Sequence, residues 1–418
     1  MKGNAIRILA GLLALFLLAA AISGCAPEKE EPSVQEKTVL VGYVGDFSGP
    51  CAEASGKLWT CATEFFKWAN ETNYLPGIKV EWIEEDDRYD PGQTPLAYRQ
   101  IMTEDPMVLF TMTSFSCSIV KPLAGRDRIP VIGFAGSVAT AKEPVGYTFL
   151  GSLVPEIEFN CFLNYVKDTW TEDRPCRIAS LSWDEDLGTQ HIQSGIETAA
   201  HLGMDYKAEY AEIAPMGTMD FTTYITRLKE LDPDYIYNPM IGPAAGSAVK
   251  TAVAMGMDPA KFVYIVGSGG GMYEEMINVC GQENTVGSLL VMADYPYSVK
   301  TEDQERIREF MQDTEYGWDA RYHLNSLSFY FSCKVLYEGL RLAIEDVGIE
   351  NLDREALYQG LQKIENFDTG VSLPVTYGPD DRLGCQSVQI YEYHEDGLPY
   401  LVTDKIYNWP QRWGEDVY

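Results

Sequence analysis

Short apolar runs rich in β-branched residues alternate along the chain with longer stretches whose apolar residues recur every three or four positions. The run 38–45 (TVLVGYVG) ends in glycine and lacks the polar alternation of a half-wetted strand, so it reads as a parallel strand buried on both faces. Over 57–70, Leu58, Cys61, Ala62, Phe65, Phe66 and Ala69 fall at helical spacing. A strand at 78–84, a helix at 95–103, a strand at 107–112, a helix at 118–126 and a strand at 130–134 continue the alternation. A repeated strand–helix unit implies a parallel sheet with helices on both faces.

After Pro155 the series starts again. Helices at 157–169, 187–202, 221–231 and 244–255 alternate with strands at 177–183, 206–211, 234–238 and 262–266. A long helix at 324–345 carries Phe329, Cys333, Leu336, Leu340 and Ala343 on one side, and strands near 388–393 and 401–407 close the chain. Periodicity does not say where those last strands pack. The expected fold class is α/β, with two doubly wound parallel-sheet lobes. In open sheets of this kind ligands bind beyond the carboxyl ends of the strands, so facing lobes would line a shared cleft.

The N-terminus changes the picture of where the chain resides. Lys2 and Arg7 precede an apolar run at 8–21, and Ile22-Ser23-Gly24-Cys25 follows with small residues where a signal peptidase cuts. This predicts a secretory signal over 1–25, with Cys25 acylated as in bacterial lipoproteins, and a charged, proline-containing flexible tether over 26–37. No second apolar stretch approaches the roughly 18 residues of a membrane span, so membrane contact is expected only through the lipid anchor. The expected location is extracytoplasmic, at the cell membrane or its periplasmic face. A net charge of −30 and a pI near 4.4 repel phosphate backbones and argue against nucleic acid as a partner. Besides Cys25 there are eight cysteines, an even number that favours disulfides in an exported chain. Cys51 and Cys117, both expected on loops at one end of the first sheet, are the favoured pair.

Catalytic motifs are missing. His191, His201, His323 and His394 form no metal-binding or facing pair, and there is no nucleophile elbow. Gly267 to Gly271 (GSGGG) follows a strand but lacks both the Walker lysine and the dinucleotide spacing. Asp86, Asp87 and Asp90 around Arg88 read as a solvated turn closed by Pro91-Gly92 rather than a calcium loop. The reading is therefore of a non-enzyme without metal or cofactor. The informative positions are loops after strands: Asp46-Phe47-Ser48-Gly49-Pro50, Thr113-Ser114-Phe115-Ser116 and Ala135-Gly136-Ser137. Hydroxyls and free N–H groups at helix starts suit a carboxylate or another acceptor-rich group. Each serine alone could equally be a helix cap; two such loops in one sheet favour binding.

Several stretches carry a family resemblance: VGYVGDFSGP (41–50), GIKVEWIEEDDRYDPGQT (77–94), RIPVIGFAGS (128–137), DFTTYITRLKELDPDYIY (220–237) and VTYGPDDRLG (375–384). In this order the sequence resembles the type I periplasmic solute-binding proteins of branched-chain amino acid ABC transporters. The resemblance implies two lobes joined by a three-strand hinge, lobe one being 38–153 plus 292–370 and lobe two 154–291 plus 371–418. It implies a monomer that captures a small molecule and delivers it to an ABC permease; a ligand-sensing receptor of the same fold is the alternative. Ser114, Ser116, Ala135, Gly136 and Ser137 would hold a ligand carboxylate, with Ser48 and Phe115 beside them and Trp183, Asp184 and Gly269 contributed by lobe two. The family's usual acidic partner for an ammonium is absent from 267–271, and its usual lobe-two tyrosine is replaced near Trp183 and Leu187. An amide or organic carboxylate is therefore a ligand class to set beside amino acids.

Overall fold

The first strand, β1 (Lys37–Gly45), buries Val39, Val41, Tyr43 and Val44 completely because apolar side chains cover both faces of its sheet, Phe65 and Phe66 in one core and Tyr98 and Ile101 in the other. Each such side chain contributes about 1.5–3 kcal/mol through removal from water. The computed structural model describes residues 36–49, 51–142, 144–265 and 273–409. After β1 come α1 (Ala52–Thr72), β2 (Ile78–Asp86), α2 (Thr94–Ile101), β3 (Val108–Thr111), α3 (Ser114–Asp127), β4 (Val131–Gly133), α4 (Val138–Lys142) and β5 (Thr148–Leu150). The five strands make one parallel sheet in the order β2-β1-β3-β4-β5.

The second series opens with α5 (Pro155–Thr169) and β6 (Ile178–Trp183), then α6 (Asp186–Thr189), α7 (His191–Leu202), β7 (Ala211–Ala214), α8 (Thr222–Leu231) and β8 (Tyr235–Asn238). It continues with α9 (Gly242–Ala254), β9 (Phe262–Ile265), α10 (Tyr273–Cys280) and β10 (Leu289–Met292). These strands pair in parallel as β7-β6-β8-β9-β10, the same order as the first sheet. Two of the three following helices, α11 (Glu302–Met311), α12 (Leu324–Val347) and α13 (Arg354–Leu361), pack on α1, and α13 packs on α12. Phe65 of α1 meets Tyr330 of α12 edge-on at 5.0 Å. A hairpin of β11 (Thr376–Gly378) and β12 (Asp381–Gly384) precedes β13 (Ser387–Tyr393), β14 (Pro399–Leu401) and β15 (Tyr407–Asn408). β13 lies antiparallel beside β10, with β14 and β15 paired to it.

Thus the chain is α/β with two doubly wound lobes, as its alternation predicts. It passes between the sheets at 151–154, 293–296 and 385–386, and the second passage is bridged by an antiparallel Asp294–Ser372 pair. Some expectations move. The strand expected at 206–211 begins only at Ala211, because 208–210 forms a 3₁₀ turn. The C-terminal strand expected at 401–407 divides into β14 and β15. The hairpin at 376–384, which the expected break at 370 assigned to lobe two, packs on β5 and α4 of the first lobe. Arg382 explains this: fully buried, it lies over the rings of Phe149 and Tyr358 at 4.7 and 5.4 Å and donates to the Tyr358 hydroxyl at 3.0 Å.

The expected disulfides are not formed. All eight described cysteines are buried free thiols. Cys117 faces the sheet so closely that a Cβ on Gly133 would lie 2.4 Å from its sulfur. Cys51, by contrast, precedes α1 and is surrounded by carboxylates; burial and then Asp46 push its thiol up to about 12. The signal, Cys25 and nearly all of the tether lie outside the described residues.

Candidate functional site

In each sheet the order places a topological switch point where the connections diverge: between β1 and β3 in the first, and between β6 and β8 in the second. Such points open a crevice beyond the strand ends. The loop after β1 is drawn tight by Asp46, which is fully buried and accepts N–H groups from Ser48 at 3.2 Å and Cys51 at 2.7 Å. Gly49 must be glycine here, since a Cβ would come within 2.4 Å of the Arg88 carbonyl oxygen.

The loop after β3 leads directly into α3. Thr113 is its N-cap and accepts the Ser116 N–H at 3.0 Å, leaving the N–H groups of Ser114 and Phe115 at an open helix start. Ser114 is buried and its hydroxyl makes no hydrogen bond to the described protein. The loop after β4 carries Ala135, Gly136 and Ser137, all buried. Gly136 is held against Leu150, whose side chain would lie 2.5 Å from an added Cβ.

The serines divide by role. Ser116 donates to Asp87 at 2.6 Å, and Ser48 donates to Asp86. Ser137 pairs with Thr140 Oγ1 at 2.9 Å and accepts the Thr140 N–H at 3.0 Å, a helix-capping role. Of the four expected hydroxyls, Ser114 alone has no protein partner among the described residues. The 86–90 turn is also not simply solvated. Asp87 is fully buried, takes Thr94 Oγ1 at 3.0 Å, and is held above the usual carboxylate range by burial.

Two consecutive residues of that turn, Arg88 and Tyr89, have φ of 56° and 55°. Left-handed backbone at such side chains is strained by about 1–3 kcal/mol each and persists where surroundings enforce it. Here Asp86 accepts the Arg88 N–H at 2.9 Å and Asp87 the Tyr89 N–H at 3.1 Å. The result presents Tyr89 edge-on to Phe115 at 5.0 Å. Sequence reading did not single out Tyr89; nothing in its composition signals this backbone.

From the second lobe, α6 packs against α3, so the turn after β6 reaches the helix that begins at Ser114. Trp183, the last residue of β6, is half-buried, and its indole N–H has no partner among the described residues. Asp184 is exposed, with its backbone N–H donated to the Ala214 carbonyl at 2.8 Å. The turn is possible because residue 188 is glycine: a Cβ there would meet the Trp183 carbonyl oxygen at 2.0 Å. Glu156 of α5 also crosses between lobes, accepting the Val138 N–H of α4 at 3.3 Å. Gly269 lies outside the described residues.

A family model for periplasmic binding proteins matches residues 38–397. The chain belongs to the periplasmic binding protein family. Its family and fold neighbours are ligand binders rather than enzymes. This binding protein is 21% identical over 243 residues to the Leu/Ile/Val-binding protein of Escherichia coli (strain K12), a match covering 57% of this chain and 64% of that one. Among solved structures, a branched-chain amino acid ABC transporter protein from Thermus thermophilus with bound valine superposes with a TM-score of 0.77 at 18% identity, over 88% of this chain and 96% of that one. A solute-binding protein from R. palustris in complex with 4-hydroxybenzoate gives 0.73 at 18% identity, over 90% and 98%. At these identities the structural likeness speaks for the fold of the binding protein, a type I arrangement of two lobes.

Proposed function

We propose that this chain is an exported, lipid-anchored solute-binding protein that holds a small ligand between its lobes and delivers it to an ABC permease. The observation that carries the reading is the pairing of two switch points, one per lobe, with the open N–H groups of Ser114 and Phe115 at the start of the helix that packs on α6. Orphan helix-start donors favour a carboxylate or another oxygen acceptor. Ala135 and Gly136 line the neighbouring strand end, and Tyr89 and Phe115 supply an aromatic wall. The lobes take the boundaries expected from the sequence, with 376–384 transferred to lobe one. Acylation of Cys25 tethers the protein outside the cytoplasm.

Relatives bind, by their descriptions, leucine, isoleucine and valine, or 4-hydroxybenzoate. The segment 266–272 (VGSGGGM) has no carboxylate to meet an ammonium, which favours an acid or amide without an amine. A thermal-shift screen of the mature chain against valine, benzoate, 4-hydroxybenzoate and short amides tests this. A ligand at 100 times its Kd adds about 2.7 kcal/mol of stability. Replacing Ser114 by alanine is expected to weaken a responding carboxylate about tenfold or more, the loss of one charge-assisted hydrogen bond; an unchanged Kd would remove Ser114 from the site.

A further inference from the structure

Two shielded N–H groups at strand ends of the second lobe have no partner among the described residues: the indole Nε1 of Trp183 and the side-chain Nδ2 of Asn238. They end β6 and β8, the neighbouring strands between which the second sheet changes direction. The register pairs Ser180 with Tyr237, so one step further along places Asn238 beside Leu181. Side chains alternate along a strand, which puts Asn238 and Trp183 on the same face of the sheet. Asn238 is fully buried, and its amide is oriented by its own oxygen, which accepts the Met240 N–H at 3.1 Å and leaves Nδ2 unused.

Buried donors are almost always satisfied, and one left without a partner is costly. Two on one face at a switch point mark a place built for an acceptor that the described residues do not themselves provide. The acceptor's charge is constrained by what surrounds it. Glu185 follows in the same turn, and together with Asp46 and Asp87 of the first lobe it acts on Tyr89 and Cys51 across the interface. Further negative charge would be repelled there, and the two N–H groups themselves offer an ammonium no acceptor.

We infer that Trp183 and Asn238 determine specificity by donating their N–H groups to an uncharged oxygen of the ligand, its hydroxyl, carbonyl or amide oxygen, while the first lobe holds the ligand's other end. The inference rests on the cleft reading above and deepens it. The ligand class is an acid or amide with a second, neutral oxygen at the far end, separated by a body that fits against Tyr89 and Phe115.

The test uses the mature chain, its Trp183→Phe and Asn238→Ala variants, and the probes 4-hydroxybenzoate, benzoate and valine, with Kd measured by calorimetry. Wild type is expected to bind 4-hydroxybenzoate about tenfold more tightly than benzoate, the worth of a neutral hydrogen bond. Each variant should narrow that preference, since each removes one of the two donors to the hydroxyl. With tryptophan indoles labelled by ¹⁵N, one N–H resonance should move on adding 4-hydroxybenzoate and be missing from Trp183→Phe. Without ligand, Trp183→Phe should cost no more than the lost ring packing against the core, because no hydrogen-bond partner among the described residues is lost. A preference retained in both variants overturns the inference and leaves the cleft reading standing. So does binding of valine alone. Failure of wild type to bind any of the three probes sinks the ligand class together with the cleft reading on which it rests.

Discussion

Asp294 sits on the second passage between the lobes, where a change of charge should be felt strongly. It is buried, accepts a hydrogen bond from Ser328 at 2.9 Å, and forms the antiparallel bridge to Ser372. The titratable groups that register it are Tyr297, Cys385 and Tyr391, none of them cationic. Burial pushes its carboxyl from 3.8 up to about 7. The fold therefore prefers Asp294 protonated, and the stability associated with the neutral form is complete below pH 4 and is lost as pH rises through 7. A shift of about 3 units corresponds to about 4 kcal/mol. Asparagine is neutral throughout and its side-chain oxygen can still accept from Ser328. Asp294→Asn should therefore match the wild type near pH 4 and exceed it by up to about 4 kcal/mol at pH 8. Urea unfolding of both proteins at pH 4.5, 6 and 8 reads the difference directly, because all other titrating groups are common to the pair. A difference that does not change with pH would refute the reasoning and place the ionised carboxylate in contact with water or a cation.

His191 should give the opposite slope. It is fully buried with neither ring nitrogen partnered among the described residues, and burial lowers it to about 3. Its contribution is whole above pH 6.5 and falls below it, by about 2 kcal/mol at pH 5; His191→Phe, packed on Phe159 and Tyr237, should remove that acid loss in denaturant titrations. Arg382→Ala should destabilise the protein by about 3 kcal/mol, the combined worth of desolvated cation–π contacts and a charged hydrogen bond, with an unchanged urea midpoint counting against the hairpin's place on the first lobe.

Much of the fold was legible because burial on both faces leaves a strong mark. β1 and α1 carry that mark in Val39, Val41, Phe65 and Phe66. β5 and β10, at three and four residues, are too short to stand out as runs. α11 was missed because charge dominates its sequence, and only Gln304, Ile307 and Met311 turn inward. The hairpin was placed wrongly because Arg382 finds its partners at positions 146, 149 and 358, a relation no local pattern carries. At the site, loops after strands were readable from their hydroxyls and glycines. Their division of labour was not: Ser116 is tied to a carboxylate 29 residues away. Asn238 could have been found by asking which polar residue ends a strand beside the change in strand order.

The Glu156–Val138 hydrogen bond joins the lobes only two residues beyond the first passage at 151–154. A rotation about the passages displaces a contact in proportion to its distance from them. In such a rotation Glu156 would be the fulcrum, and the meeting of α3 with α6 the moving end of the lever. Weakening the fulcrum would loosen the direction of swing without enlarging it, and weakening the lever's tip would change how often the jaws part.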